Sequence, residues 1–373
     1  MKKILVISFC IILSIFTACS GKEVDKLENY VDFVLDVPSG RQVKILQITD
    51  VQIIDSSQRR YEGRLSSSSV ITWAPENMDA LSFDIVREVV QQAAPDLIVL
   101  TGDNVYGEFD DAGTSLLRFV EFFESLNIPW TGTYGNHDNE TIKGVEWQNQ
   151  QYINASNCLF KKGNSLAEGN GNYTVGIRQG GELTKVLYMF DSHGCVNADI
   201  ESGVFSSAGI MDGQMQWFEE TSNSLKQYNG GEYVDSLVFL HHPLKAIGDG
   251  MQKYGYVSAS HDFYDQDGNM AAFKAVTVPT NQNGDYGRIT KDPRSYIDND
   301  YSFFNLVKEK GTLGIFFGHE HLNDISVEYQ GVRLTFGVKS SKYDAHHTDM
   351  LGGTLITFDK NTPLTVFPIY YNP

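Results

Sequence analysis

Short apolar runs recur along the first half of the chain, and each ends at polar or glycine residues. The runs at 43–48, 96–101 and 128–134 have the length and the bounding turn residues of buried strands. Between them, apolar residues repeat at helical spacing over 79–94 and again over 116–123. Alternating strands and helices predict a parallel sheet with right-handed crossover connections.

The second half of the chain repeats this pattern with a more antiparallel character. Two segments of the chain are irregular. Residues 56–69 in the first half are serine-rich and predict a long loop, and residues 245–300 in the second half predict an irregular insertion near the site. Loops of this length inside a domain are commonly functional. The regular elements predicted in this half are strands at 173–177, 185–191, 234–240, 312–317 and 327–336, with helices at 214–225 and 303–310.

The N-terminus predicts export. Two lysines precede an apolar run that is too short to span a bilayer comfortably, and Thr-Ala-Cys follows it. This pattern indicates a signal peptide over residues 1–19 with lipoprotein-type cleavage before Cys19, whose lipid would anchor the protein to a bacterial envelope membrane. Residues 20–40 then predict a polar tether. Because Phe16 stands where lipoproteins usually carry leucine, ordinary secretion is the alternative.

Composition limits the possible partners. The chain has 373 residues, a formal net charge of −18 and a pI of about 4.8. This acidity argues against a nucleic-acid duplex or an anionic membrane surface, although metal cations can supply local positive charge for an anionic substrate. Residues 41–373 fit a single α/β domain. Cys158 and Cys195 either form a disulfide or remain buried thiols.

Five of the predicted strands end in side chains that can bind metals. Carboxylate, imidazole and amide oxygen together suit borderline metals such as Zn, Mn and Fe, and the carboxyl ends of strands are where α/β sheets bind ligands. Paired metal ions about 3.5–4 Å apart drive attack on phosphorus. A single such residue is usually a turn residue, but five strand ends together favour a metal site. The strand ends are Asp50, Asp103 with Tyr106, Asn136 with His137, His241, and His319 with His321.

These residues lie in motifs that resemble the calcineurin-like metallophosphoesterase superfamily. The motifs occur in order: Asp-Val-Gln at 50–52, Gly-Asp-Asn-Val-Tyr at 102–106, Gly-Asn-His-Asp at 135–138, Val-Phe-Leu-His at 238–241 and Gly-His-Glu-His at 318–321. The Gly-Asp-x-x-Tyr form resembles the small purple-acid-phosphatase-like branch, and the resemblance covers nearly the whole mature chain. It implies an α/β fold of two mixed β-sheets packed face to face and flanked by helices, in four layers.

The resemblance also implies a ligand set for two metal ions. The first ion would be held by Asp50, Asp103, Tyr106 and His321, and the second by Asp103, Asn136, His241 and His319. Most members of the superfamily carry a metal-binding histidine where this chain has Gln52. The Tyr106 phenolate is expected to replace it, which favours iron paired with iron, manganese or zinc. The alternative is that Tyr106 only packs, and that the first ion is weakly bound or absent.

The implied chemistry is hydrolysis of a small phosphorylated substrate. A metal-activated hydroxide would attack phosphorus, and His137 would contact the phosphate or protonate the leaving oxygen. Asp138 would orient His137, or would simply cap the turn. A phosphomonoesterase is slightly favoured. The alternatives are a phosphodiesterase for nucleotides or lipid headgroups, and a non-catalytic binding lipoprotein on a degenerate phosphoesterase scaffold, which the missing histidine at Gln52 supports.

Other polar residues have weaker interpretations. An arginine cluster in the 56–69 loop would either grip a distal phosphate or form a solvated face, and His242, next to a ligand in an extended strand, should point away from the site. Three further histidines are candidates for the pocket wall. The arginines are Arg59, Arg60 and Arg64, and the histidines are His193, His346 and His347.

Overall fold

The structure is a computed structural model that describes residues 26–163, 166–194, 208–258, 273–293, 297 and 300–372. The strands are β1 (Phe33–Val37), β2 (Val43–Ile48), β3 (Leu97–Thr101), β4 (Trp130–Thr133), β5 (Tyr173–Gln179), β6 (Glu182–Met189), β7 (Ser236–Phe239), β8 (Val276–Val278), β9 (Gly287–Ile289), β10 (Thr312–Phe317), β11 (Ser326–Tyr329), β12 (Val332–Phe336), β13 (Gly352–Phe358) and β14 (Thr365–Tyr370). The α-helices are α1 (Ser67–Thr72), α2 (Asp84–Ala93), α3 (Thr114–Ser125), α4 (Val145–Asn154), α5 (Asp212–Tyr228), α6 (Lys245–Gln252) and α7 (Asp300–Glu309).

The strands form two large mixed sheets and one short hairpin. The five-stranded sheet has the order β14-β13-β2-β3-β4, and its strands β2, β3 and β4 run parallel. The seven-stranded sheet has the order β1-β5-β6-β7-β10-β12-β11, and β6, β7, β10 and β12 run parallel. The antiparallel pairs lie toward the edges. Strands β8 and β9 pair with each other.

The two sheets pack face to face, and helices cover their outer faces. Successive side chains of a strand point to opposite faces, so β7 divides its residues between two cores. Leu237 and Phe239 belong to the cluster shared with the five-stranded sheet, whereas Val238 and Leu240 belong to the cluster formed with α5, α6 and α7. Helices α2 and α3 cover the other sheet. The predicted four-layer α/β fold is therefore confirmed.

The predicted irregular segments contain short regular elements. The serine-rich loop includes α1, and the insertion at 245–300 includes α6 and the β8–β9 hairpin. Two glycines weaken the helical signal of α6 because glycine is a poor helix former. Gly250 nevertheless suits the fold, since a Cβ there would lie 3.1 Å from Val327 on β11. Close packing of α6 on the sheet explains the glycine.

The prediction of a polar tether over residues 20–40 is wrong for the part that is described. Leu27 and Val31 are buried, and β1 pairs in parallel with β5 at the edge of the seven-stranded sheet. Phe33 packs edge-on against Tyr173, with ring centroids 5.9 Å apart. The domain therefore begins before residue 41, because this edge strand contributes apolar side chains to it.

The predicted leader and Cys19 lie outside the described residues. Across residues 26–372, with the gaps given above, no helix is long and apolar enough to cross a membrane. Cys158 is a buried free thiol. Its possible partner Cys195, like Cys19, lies outside the described part of the chain.

Candidate metal centre

The strand ends of both sheets meet at one edge of the sandwich. Strands β2, β3 and β4 lead to Asp50, Asp103 and Asn136, while β7 and β10 of the other sheet lead to His241 and His319. Backbone hydrogen bonds join these ends: the N–H of Asp50 donates to Gly102 over 3.2 Å, and the N–H of Gly318 donates to His241 over 3.0 Å. The fold thus gathers five of the predicted ligands.

Several of these residues hold a backbone conformation that is rare for side-chain-bearing residues. The φ angles are 53° at Asp50, 45° at Gln52, 50° at Asp103 and 71° at His319. Each such residue costs on the order of 1–3 kcal/mol, and strain of this kind clusters at functional sites. Asp50, Asp103 and His319 each lie two residues beyond a strand end, where this conformation turns the chain at the site.

Glycine is required where the loops touch. A Cβ at Gly135 would lie 2.2 Å from Asp103 Oδ1, and a Cβ at Gly318 would lie 2.3 Å from Thr49 Oγ1. Neither position can hold a side chain without displacing a ligand loop. The glycine of the Gly-Asn-His-Asp motif therefore serves close approach of the β4 loop to Asp103.

Asp50, Asp103 and His321 form the first ligand set. One ligand atom from each lies within 4.8 Å of the others, and His321 Nε2 is 3.2 Å from Asp50 Oδ1. Burial alone would raise the pKa of Asp50, but His321 and His241 outweigh it and lower the pKa to about 2. Burial, followed by the charge of Lys339, lowers the pKa of His321. The set therefore offers ionised carboxylates and a neutral imidazole.

Asp103, Asn136, His241 and His319 form the second ligand set. His241 Nε2 is 3.1 Å from Asn136 Oδ1 and 3.4 Å from Asp103 Oδ2. His319 Nδ1 is 3.0 Å from the same amide oxygen and 3.3 Å from His241 Nε2. Atoms with lone pairs thus converge at one point.

Protons alone explain this convergence poorly. His241 Nδ1 lies 2.8 Å from the Thr101 carbonyl, which fixes the proton of that nitrogen outward and leaves Nε2 facing the site. Burial and the charge of His241 lower the pKa of His319 to about 3, so that ring is neutral. Protons on both His241 Nε2 and His319 Nδ1 would satisfy the contacts to Asn136 and Asp103, but they would place two donors face to face over 3.3 Å. The donor chemistry fits a borderline metal cation in each set, with Asp103 shared.

Tyr106 lies beside the site, and its role as a ligand stays a prediction. Its ring stacks on His137 with centroids 3.8 Å apart and meets Phe109 edge-on at 5.4 Å. Burial, with the nearby carboxylates of Glu140 and Asp344, raises the pKa of Tyr106. A phenolate here would need a strongly polarising cation close to the oxygen.

Glu140, not Asp138, holds His137. His137 Nδ1 lies 2.9 Å from Glu140 Oε2, whose side chain is almost completely buried. Burial alone would lower the pKa of His137, but the charges of Asp103 and Glu140 raise it to about 9. The prediction that Asp138 orients His137 is therefore wrong.

Asp138 instead fastens two loops together, which is close to the alternative of a turn cap. Its Oδ1 accepts the N–H groups of Asn104 (2.9 Å) and Val105 (3.1 Å), and its Oδ2 accepts that of Gly135 (2.7 Å). Burial, followed by the charge of Asp103, raises the pKa of Asp138 to about 7. The carboxyl group faces backbone amides, and none of these three hydrogen bonds involves the imidazole of His137.

Sequence reasoning missed a buried lysine at the site. Lys339 Nζ donates to the Asp50 carbonyl over 2.9 Å and to Gln52 Oε1 over 2.8 Å, and Gln52 Nε2 donates to Asp103 Oδ2 over 3.1 Å. Burial lowers the pKa of Lys339 to about 8. A signal existed, because this lysine follows strand β12 just as the ligands follow theirs. We call Lys339, Gln52 and Asp103 the lysine relay.

The remaining candidate residues have structural partners. Arg60 pairs with Asp111 and Arg64 with buried Glu108, so neither guanidinium is available to grip a phosphate. Arg59 is exposed. His242 packs against the ring of His319 with centroids 4.5 Å apart, as expected for a side chain that supports the site rather than lining it. His193, His346 and His347 contact Gly209, Asp344 and Thr290 respectively.

A cavity of about 320 Å³ opens above the ligands. Its wall includes His137 and His319 together with Asp344 and the exposed Lys291. This volume is at the small end of the range for ligand pockets. The ligands therefore face a space that a small molecule can enter.

The fold and the site define a protein of the binuclear metallophosphoesterase class. The comparison with known families agrees: the sequence profile described as calcineurin-like phosphoesterase matches residues 43–323, and the chain belongs to that family. The resemblance inferred from the motifs is thus confirmed.

Individual proteins are also similar to this chain. The chain is 25% identical over 313 residues to the Arabidopsis thaliana protein named "Probable inactive purple acid phosphatase 29", covering 79% of this chain and 71% of that one. It is 25% identical over 314 residues to "Probable inactive purple acid phosphatase 14" of the same plant, covering 79% and 69%. Among solved structures, a dimetal phosphatase from Danio rerio matches 88% of this chain and 99% of its own at 11% identity, with a TM-score of 0.47.

Proposed function

We propose that the protein hydrolyses phosphate esters of small molecules with a binuclear metal centre. The observation that carries this proposal is the convergence of the two ligand sets on Asp103 beneath an open cavity. Asp50, Asp103 and His321, with Tyr106 as a further candidate, would hold one cation. Asp103, Asn136, His241 and His319 would hold the other.

The reaction chemistry is shared between the cations and His137. When bound, two cations polarise a phosphoryl group and make a water molecule acidic enough to serve as nucleophile near neutral pH. Glu140 engages His137 Nδ1, so Nε2 is the ring atom that can deliver a proton to the leaving oxygen. The carboxylates that raise the pKa of His137 keep that proton in place at neutral pH. Tyr106 stacks on the ring and fixes its plane.

The expected substrate is small and anionic. The cavity of about 320 Å³ leaves room for a compact phosphate ester, and the chain's net charge of −18 means that attraction of phosphate depends on bound cations. Lys291 supplies an ammonium group at the wall. A phosphomonoester is the favoured class, with iron plus iron, manganese or zinc as the metals.

The test compares a chromogenic phosphomonoester with a phosphodiester after loading with iron, manganese or zinc. We expect hydrolysis of the monoester and its loss in Asn136→Ala, because that substitution removes the neutral oxygen of the second ligand set. Absence of turnover for both esters under every loading, in protein that holds two cations, would refute the catalytic proposal.

A second candidate is a non-catalytic binding protein on the same scaffold. Gln52 favours it, because its side chain is engaged by Lys339 and Asp103 at a position where the family usually places a ligand. The word "inactive" in the names of the two plant relatives points the same way. Tight binding of inorganic phosphate without turnover would support this candidate.

We also propose that the protein is exported and anchored through a lipid on Cys19. The support is the leader-like sequence before that cysteine. Fractionation of cells that express the full chain tests it, because Cys19→Ala should move the protein from the membrane to the soluble fraction.

A further inference from the structure

Lys339 is a buried amine beside the first ligand set. Its side chain is 1% exposed, and among the described residues it forms no ion pair. Its backbone is anchored, since its carbonyl accepts the N–H of Gly352 over 2.8 Å. An ammonium group out of water and without a paired carboxylate is costly. The hydrogen bonds of Lys339 indicate what this buried ammonium group does at the site.

The lysine fixes the orientation of the Gln52 side chain. An ammonium group can only donate hydrogen bonds, so the atom of Gln52 that lies 2.8 Å from Nζ must be the amide oxygen. The amide nitrogen then faces Asp103 Oδ2 over 3.1 Å, where it can only donate. Gln52 therefore offers no oxygen to a cation, because turning the amide would place two donors face to face.

Through this contact the relay acts on the shared carboxylate. Asp103 Oδ2 accepts from Gln52, and Asp103 Oδ1 accepts the N–H of His137 over 2.8 Å. Both oxygens of the carboxylate are thus oriented before any cation arrives. The same lysine donates to the carbonyl of Asp50, so its charge lies beside the first ligand set. Within the described part of the chain, the side chains of Asn136 and His319 form hydrogen bonds with neither Lys339 nor Gln52.

We propose that the lysine relay makes the two cation sites unequal, so that the first ligand set binds its cation more weakly than the second. The inference rests on the binuclear centre of the proposed function and adds to it which site is weak and why. The first set lacks a ligand from Gln52, and a fixed positive charge opposes a cation there. Coulomb repulsion is strong in a site shielded from water. The second set keeps an amide oxygen and two imidazoles.

The experiment is calorimetric titration of the metal-free protein with Mn²⁺ at pH 7. Lys339→Met removes the charge while keeping an unbranched apolar chain, and Gln52→Glu places a neutralising carboxylate beside the ammonium. Lys342→Met is the matched control, because that ammonium group lies over the ring of Tyr371, 5.5 Å from its centroid. Thermal unfolding checks that each variant is folded, and His321→Ala identifies the event that belongs to the first set.

We expect two binding events in the wild-type protein, with the weaker one abolished by His321→Ala. Lys339→Met and Gln52→Glu should each tighten the weaker event at least tenfold and leave the tighter one unchanged, whereas Lys342→Met should change neither. An unchanged or weakened first site in either folded variant overturns the inference, and so does a single binding event in all proteins. Because the readout is metal affinity, the inference can hold even where no ester is hydrolysed, which would refute only the catalytic proposal.

Discussion

At the scale of single residues, the contact between His137 and Glu140 gives a direct test of the proton donor. Glu140→Gln keeps a hydrogen-bonding group but removes the negative charge that helps to raise the pKa of His137 to about 9. The pKa should fall, so the alkaline limb of the kcat profile should move to lower pH. We expect kcat at pH 7 to drop about 10–100-fold, as for partners that orient functional groups.

The control for this substitution is Glu146→Gln, whose side chain is 63% exposed and forms an ion pair with Lys162 at the surface. Metal content should be unchanged in both variants. If Glu140→Gln leaves both kcat and the shape of the pH profile as in the wild type, then Glu140 does not act through His137.

Substitution of Tyr106 tests whether its phenolate binds the first ion or whether the side chain only packs. If the phenolate is a ligand, Tyr106→Phe should lower the iron content of the first site and remove the visible absorption band of an iron–phenolate bond, while the stacking on His137 persists. Tyr61→Phe, in the neighbouring loop, is the control. Full iron content together with unchanged absorption would show that Tyr106 only packs.

Individual ligands were predictable from the sequence because each follows an apolar strand. Asp50, Asn136 and His319 needed only the rule that parallel strands end at one edge. Lys339 also follows a strand, but lysine is ordinarily a surface residue, so its position after β12 did not by itself indicate burial at the site. The sequence could not show whether Asp138 or Glu140 contacts His137. Both carboxylates lie within three residues of His137, so the choice between them depends on loop geometry.

At the scale of structural elements, Asp138 is the fastening between the loops that follow β3 and β4. Asp138→Asn replaces one accepting oxygen with an NH₂ group that faces a backbone N–H donor. A buried donor left unsatisfied costs about 1–3 kcal/mol, so we expect the free energy of unfolding to fall by about 2 kcal/mol at pH 8. Urea denaturation measures this change.

Asp79→Asn is the matched control, since that side chain is 68% exposed and its ion pair with Arg87 is at the surface. It should change the free energy of unfolding by less than about 0.5 kcal/mol. Equal stabilities of the two variants would mean that the three amide contacts of Asp138 do not hold the loops.

The elements themselves followed the hydrophobic pattern where the pattern was long. Strands β2, β3 and β10 lie where their apolar runs predicted them. Strand β1 was missed because an edge strand buries only part of its surface, so a polar residue such as Asp36 interrupts the run. Helix α6 was missed because glycines that allow close packing also erase the helical signal.

At the scale of the whole molecule, stability should depend on pH through the histidines of the site. In the metal-free protein the pKa values of His137 and His241 are raised from 6.5 to about 9, so their stabilisation is complete below 6.5 and is lost as the pH rises through about 9. The pKa values of His319 and His321 are lowered, so stability is lost as the pH falls below 6.5. Stability of the metal-free protein should therefore peak near pH 6.5.

Metal binding should counteract the loss of stability that the metal-free protein shows as the pH rises toward 9. A cation in the second ligand set must displace the proton of His241, and this displacement becomes easier as the pH rises. Mn²⁺ should therefore raise the melting temperature more at pH 9 than at pH 6.5. Melting curves of chelator-treated and Mn²⁺-loaded protein measure this difference, and an equal increase at both values would contradict the assigned ligands.

The central claim is that Asp103 joins two cation sites, and anomalous diffraction from crystals of the metal-loaded protein tests it most directly. We expect two anomalous peaks about 3.5–4 Å apart. One should contact Asp50 and His321, the other should contact His241 and His319, and both should contact Asp103. A single peak at full metal loading, or two peaks that do not share Asp103, would contradict the account.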